Sequence, residues 1–325
     1  MDGSHWRAIE RLRAQAHETC RTAQTLPLHT QAIVAEDLAP SGICAAIRRL
    51  HGGRATDGVL TCTAMKDLAL APRSTFAGVR FVLTDMDETL TYRGRLAART
   101  YGALERLQGT GVKVIPVTAA PAGWCDQMAR MWPVDGVISE NGGLFIQRDG
   151  ERGVKRKFWH SDATRQAISD QLAAIGRHIV QLVPSARFAD DQVFRLTSLA
   201  FAQPDSEADG RVLVAAMRKA GLDVTVNNLW ILGWIGAYDK LAMARRAMAE
   251  AYNIDIDANP DAVLYCGDST NDAPMFGFFR HTVGVSSVRR YLSEIPILPN
   301  WITKGPGGDG FVEVADALIA SKIVR

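Results

Sequence analysis

Over residues 1–76, apolar side chains recur at helical spacing. Trp6, Ile9, Leu12, Ala16 and Cys20 share one face, and Ile43, Ala46, Ile47 and Leu50 repeat the pattern after Ser41. Pro40, the Gly52 and Gly53 pair and Pro72 punctuate this stretch, which predicts a helical extension carrying no chemical constellation. From Val79 the period changes. Short β-branched runs at 79–84, 112–117, 136–139, 263–266 and 282–285 alternate with amphipathic helices such as 97–108, where Ala97, Tyr101, Leu104 and Leu107 share a face. Nearly continuous apolar strands separated by helices predict an α/β protein with a doubly wound, Rossmann-like parallel sheet.

The alternation is interrupted between about residues 145 and 235 by a stretch with its own βα pattern. A strand near 154–159, a helix from Asp162, a strand near 196–201, a helix over 206–220 and strands near Val224 and Trp230 read as an inserted α/β cap. The expected organisation is an N-terminal helical extension (1–76), a core in two pieces (77–146 and 236–325) and the cap (147–235). No internal repeat or low-complexity tract is present.

Composition narrows the function classes. With 47% hydrophobic and 22% charged residues, the 325-residue chain has the make-up of a folded globular protein. Its 37 basic and 35 acidic residues are well mixed and give a net charge of +2, so no nucleic-acid partner is expected. Cys20, Cys44, Cys62, Cys125 and Cys266 are scattered, without a C-x-x-C pair, and read as reduced thiols. Charges at Glu10 and Arg11 stand where a signal peptide needs an apolar run. No stretch is long and apolar enough for a membrane span, so a cytoplasmic protein without a membrane partner is expected. Oligomeric state is not legible.

Three strand ends and one helix start carry candidate chemistry. The run Phe81-Val82-Leu83-Thr84 leads into Asp85-Met86-Asp87-Glu88-Thr89. Two carboxylates at a strand's carboxyl end can hold a hard cation such as magnesium, and one can act as a nucleophile; a solvated acidic turn fits the same string. Thr118 follows a matching strand and precedes a helix start near Ala122, a place where a hydroxyl and free N–H groups suit a phosphate oxygen, or where a threonine simply caps the helix. Lys240 opens an amphipathic helix, where its charge invites a nearby anion unless it is a plain surface lysine. Gly267-Asp268-Ser269-Thr270-Asn271-Asp272 ends a third apolar strand. Asp268 can complete a metal site there, and Asp272 can orient a metal-bound water or Lys240.

In this order, D-x-D-x-T, threonine, lysine and G-D-x-x-x-D resemble the haloacid dehalogenase superfamily of phosphatases from Val79 to about Ile319. The position of the insertion, together with Glu140-Asn141-Gly142 ahead of it, resembles the members with an α/β cap of the second class, the sucrose-phosphate phosphatase-like and Cof-like sugar phosphatases. The resemblance implies Asp85 as nucleophile and Asp87 as general acid and then base. It implies magnesium at Asp85, the Asp87 main-chain carbonyl and Asp268, with Asp272 also counted in the metal site. Phosphate contacts are implied from Asp85, Met86, Thr118, Ala119, Lys240 and Asn271. The expected partner is a small phosphorylated metabolite, with sugar recognition expected from Trp124, Asn141, Asn227, Asn228, Trp230 and Trp234 near the cap boundary and from Arg195 on the cap. One departure stands out: T-G-R is usual after the second strand, and here Thr118-Ala119-Ala120-Pro121 lacks the arginine. That leaves open a catalytically weak or inactive binding protein of the same fold, and also a phosphotransferase or mutase.

Overall fold

A computed structural model describes residues 65–151, 153–227 and 229–322; the extension expected over residues 1–64 lies outside them. A six-stranded sheet in the order β1-β12-β11-β10-β2-β3 forms the centre, and every pairing in it is parallel. Its strands are β1 (Lys66–Asp67), β2 (Phe81–Thr84), β3 (Lys113–Pro116), β10 (Val263–Gly267), β11 (His281–Gly284) and β12 (Trp301–Ile302). Every residue of β2 and β10 is buried, which is why these strands read as unbroken apolar runs rather than alternating ones.

Alternate residues of the strands feed two cores. Val82, Val114, Leu264 and Cys266 face a cluster completed by α1 (Ala98–Gly109), α2 (Ala122–Met131) and α7 (Gly307–Lys322). Phe81, Leu83, Ile115, Val263 and Tyr265 face another, covered by α5 (Lys240–Tyr252) and α6 (Ala273–Phe278). The doubly wound architecture expected from the hydropathy pattern is therefore present. Cys125 and Cys266 are buried free thiols. Among the described residues no helix is long and apolar enough to cross a membrane.

Two smaller antiparallel sheets follow. In the first, β4 (Val137–Ser139), β5 (Leu144–Asp149) and β6 (Gly153–Phe158) lie in that order, tied to the main sheet by a parallel bridge from Val117 to Ile138. The strand near 154–159, read from sequence as part of the cap, pairs with β5 along its length, from Leu144 with Phe158 to Asp149 with Gly153. Val154 and Phe158 pack on the main core, so this strand extends the core side. The second sheet, β7 (Ser198–Ala202), β9 (Trp230–Trp234) and β8 (Asp223–Val226), carries α3 (Asp162–Leu182) and α4 (Glu207–Lys219) on one face, where Leu172, Ile179, Leu213 and Met217 meet Leu199, Phe201 and Ile231. From its other face Ala200, Leu232 and Trp234 cluster with Ala119 and Tyr238. The cap's underside thus rests on the loop that follows β3.

Residues 65–76, placed in the extension by hydropathy, supply the edge strand β1 and the side chain of Phe76, which is 1% exposed and packs edge-on against His281 and Trp301. Truncating a buried phenylalanine costs about 3–5 kcal/mol. Phe76→Ala is expected to lower the stability of the folded unit by about that amount, measured by urea unfolding; a loss below about 1 kcal/mol would show that this segment is not part of the core.

Candidate active site

Strand β2 delivers Asp85 to the point where the strand order reverses. The chain passes from β2 to β3 on one side and returns much later as β10 on the other, and such a crevice at the carboxyl ends is where open α/β sheets collect ligands. The Asp85 N–H donates to the Cys266 carbonyl (2.8 Å). The loop then folds onto the Met86 carbonyl, which accepts from the N–H groups of Thr89, Leu90 and Thr91 (3.3, 2.8 and 2.9 Å).

Lys240 is the first residue of α5, a helix capped by Asp239, whose carboxylate accepts from the Ala242 N–H (2.7 Å). Its Nζ lies 2.7 Å from Asp85 Oδ1 and 3.0 Å from Asp272 Oδ1, and all three side chains are buried. Burial alone would lower the lysine's pKa. The Asp272 and Asp85 carboxylates outweigh it and hold the ammonium above its ordinary value.

Asp272 is saturated with donors. Its Oδ1 accepts from Lys240 and from the Tyr265 hydroxyl (2.5 Å), and its Oδ2 accepts from the N–H groups of Asp268 (2.9 Å) and Ser269 (3.2 Å). This close seat requires Gly267, since a Cβ there would lie 2.5 Å from Asp272 Oδ2. Asp268 accepts from the Thr89 hydroxyl through Oδ1 (3.2 Å). Asp85, Asp268 and Asp272 can offer oxygens within 4.8 Å of one another. Asp85 and Asp268 each keep one oxygen without a hydrogen bond among the described residues, whereas Asp272 has none to spare.

Burial raises the Asp85 carboxyl to about 7, with Lys240 opposing and Asp272 adding to the rise. Burial and then the Asp85 and Asp272 charges push Asp268 up to about 9. Three buried carboxylates face one buried ammonium. Hard oxygen donors with an excess of negative charge, with open oxygens on Asp85 and Asp268, could hold a hard divalent cation. Burial, again ahead of the opposing charge of Lys240, lifts Asp87 to about 6, close to where a group both gives and takes a proton at neutral pH.

On the other flank, the Thr118 hydroxyl oxygen accepts from the Ala120 N–H (3.0 Å), which leaves its own proton to donate. The N–H groups of Met86 and Ala119 meet no acceptor among the described residues. Asp85, Asp87, Ala119, Asp268 and Asn271 line a cavity of about 610 Å³, which is also lined by Val226, Asn227 and Leu229 from the end of β8 and the turn to β9, and by Arg290, Tyr291 and Glu294.

The three strand ends and the start of α5 therefore converge, and of the residues expected to read a sugar Asn227 lines this cavity whereas Trp124, Asn141, Arg195, Trp230 and Trp234 do not. Trp124 is 42% exposed on α2. Asn141 is buried behind Thr118, its N–H donating to the Thr118 carbonyl (3.0 Å). Trp234 is stacked on Tyr238 and donates through Nε1 to that residue's carbonyl (3.0 Å). Arg195 is buried, its guanidinium engaged by Asp191, Ala119 and Ser198. Ala120 is packed into the core, where its carbonyl accepts from Glu140 N–H (3.1 Å) and Ser139 Oγ (2.9 Å). Asn228 lies outside the described residues. Sequence reasoning missed Tyr265, hidden as an ordinary buried strand residue, and the wall residues Arg290, Tyr291 and Glu294, which belong to no motif.

No family model matches the chain, and no curated protein matches it. Solved structures do. Protein 0175 of Thermoplasma acidophilum superposes with a TM-score of 0.59 at 17% identity, over 74% of this chain and 99% of that one. A haloacid dehalogenase-like hydrolase from Bacteroides thetaiotaomicron gives 0.57 at 13% identity, over 73% of this chain and 98% of its own. The sucrose-phosphatase of Synechocystis sp. PCC6803, solved with sucrose and phosphate, gives 0.52 at 13% identity, over 74% and 98%. With its parallel sheet, its separate cap sheet and these likenesses, the chain has the fold of the haloacid dehalogenase-like hydrolases.

Proposed function

We propose that the protein is a magnesium-dependent phosphatase that hydrolyses a small phosphomonoester, a sugar phosphate being the favoured class, through an aspartyl-phosphate on Asp85. The observation that carries this reading is the buried contact of Lys240 with both Asp85 and Asp272 beside Asp268. Burying three carboxylates around one ammonium is costly as a structural device. It suits a site that neutralises a phosphoryl group during transfer.

In the proposed reaction a carboxylate oxygen of Asp85 attacks phosphorus, and the bond to the leaving oxygen breaks as Asp87 donates its proton to that oxygen. The Asp87 carboxylate then takes a proton from water, whose oxygen attacks the phosphorus of the aspartyl-phosphate and frees Asp85. Lys240 and the Thr118 hydroxyl orient the phosphoryl oxygens, assisted by the Met86 and Ala119 N–H groups. Magnesium held by Asp85 and Asp268 would supply further charge neutralisation. Asp272, saturated by donors, acts by holding Lys240. The Asn227 and Arg290 walls, together with the sugar-bound relative, support a polar leaving group of sugar size.

Two outcomes test the reading. Asp85→Asn is expected to lower phosphate release from an aryl phosphate by more than about a thousandfold, since an amide cannot form the acyl-phosphate. Its thermal unfolding should remain cooperative. EDTA should stop the wild type and magnesium restore it. Activity within tenfold of wild type in the variant, or full turnover without metal, would reject the mechanism.

Stability should respond to pH in the same terms. Asp85 and Asp268 bind protons more tightly in the folded protein than in the unfolded chain, where carboxyls titrate near 4. Folded protein therefore holds the excess protons, and the stability they contribute is full below about pH 4 and lost as pH rises through about 7 and 9. The urea midpoint of EDTA-treated protein is expected to fall between pH 5 and pH 8.5, with magnesium recovering it at the higher pH. A rising midpoint without metal would contradict the charge account.

A further inference from the structure

Arg195 lies on the cap just before β7, and its side chain is 1% exposed. Nε and Nη2 grip Asp191 Oδ1 and Oδ2 as a fork (3.0 and 2.7 Å), while Nη1 donates to the Ala119 carbonyl (3.0 Å) and to Ser198 Oγ (3.3 Å). The Ala119 carbonyl and the Ala120 N–H belong to one peptide group, and that N–H donates to the Thr118 hydroxyl oxygen. The guanidinium thus holds one end of a peptide plane whose other end holds Thr118. A cation on the carbonyl polarises the peptide and strengthens the bond its N–H makes, so the Thr118 hydroxyl becomes the better donor.

Glu140 clamps the same junction. Its Oε1 accepts from the N–H groups of Ala122 (3.0 Å) on the core and Leu196 (2.8 Å) on the cap, and its Oε2 accepts from Thr197 N–H and Oγ1 (both 2.9 Å) and Ser198 Oγ (2.6 Å). The carboxylate is fully buried and its backbone sits at φ 50°, a conformation that non-glycine residues keep only when their surroundings dictate it. Cap and core are therefore stitched together directly behind the Thr118 and Ala119 loop.

We propose that Arg195 is a positioning residue of the phosphate site, acting through the Ala119–Ala120 peptide on the Thr118 hydroxyl. It makes no contact with the leaving group. The inference rests on the phosphatase reading for its catalytic meaning, but not for its geometry.

The test is Arg195→Lys, which keeps the charge but cannot span Asp191 and the Ala119 carbonyl together. A charge-neutral pair, Asp191→Asn with Arg195→Met, serves if the lysine variant does not fold. Binding of inorganic phosphate to the magnesium-loaded protein is measured by calorimetry. Values of kcat/KM are compared for an aryl phosphate, a hexose phosphate and glycerol phosphate. The dissociation constant for phosphate is expected to rise about tenfold, the scale of one charge-assisted hydrogen bond, and kcat/KM to fall by a common factor for all three esters. Unchanged phosphate affinity overturns the proposal, and so does a loss confined to one ester, which would make Arg195 a leaving-group contact. Phosphate binding that weakens in the variant while the wild type turns over no ester would uphold the positioning role and reject the phosphatase reading.

Discussion

The buried contact of Lys240 with Asp85 and Asp272 is the constraint on which the remainder of the site depends. It joins residues 155 and 32 positions apart in the chain, so the start of α5, the end of β2 and the turn after β10 meet at one ammonium. Removing the lysine would leave buried carboxylates without compensation, a far larger penalty than losing an exposed ion pair. Everything around it serves the arrangement. Asp239 caps the helix that carries Lys240, Tyr265 and two main-chain N–H groups occupy the remaining lone pairs of Asp272, and Gly267 leaves the room for that carboxylate. Asp272 is fixed, and Asp85 and Asp268 are left with open oxygens.

A second consequence concerns the cap. One face of its sheet is occupied by α3 and α4, so the other meets the core, and small side chains at Ala119 and Ala200 allow the approach. Glu140 and the pair of Arg195 with Asp191 tie this contact with charge-assisted hydrogen bonds. The same cavity is lined by Val226, Asn227 and Leu229 of the cap and by Arg290, Tyr291 and Glu294 of the core.

Much of this was legible in the sequence because the buried strands demand unbroken apolar runs and the acids follow them directly. Parallel strands with both faces covered leave no polar alternation, so β2 and β10 announced themselves and their ends located Asp85 and Asp268. What was not legible depends on pairing partners. The alternation in β6 is the same whether it joins the cap sheet or β5, and β1 has only two residues, too short for any period. Arg195 and Trp234 were misjudged for the same reason. A charge or an indole near the cap boundary suggests a sugar contact until a buried partner is seen, and Asp191 and Tyr238 are such partners only in three dimensions. Wall residues such as Arg290 carry no spacing signal at all.

The central claim is that Asp85 becomes covalently phosphorylated during turnover. Acid-quenching the magnesium-loaded protein during hydrolysis of an aryl phosphate, followed by mass spectrometry of its peptides, addresses this directly. The account predicts an acid-stable phosphate on the peptide containing Asp85, absent when EDTA is present. Turnover with no phosphorylated peptide, or with the phosphate on a residue other than Asp85, would contradict it.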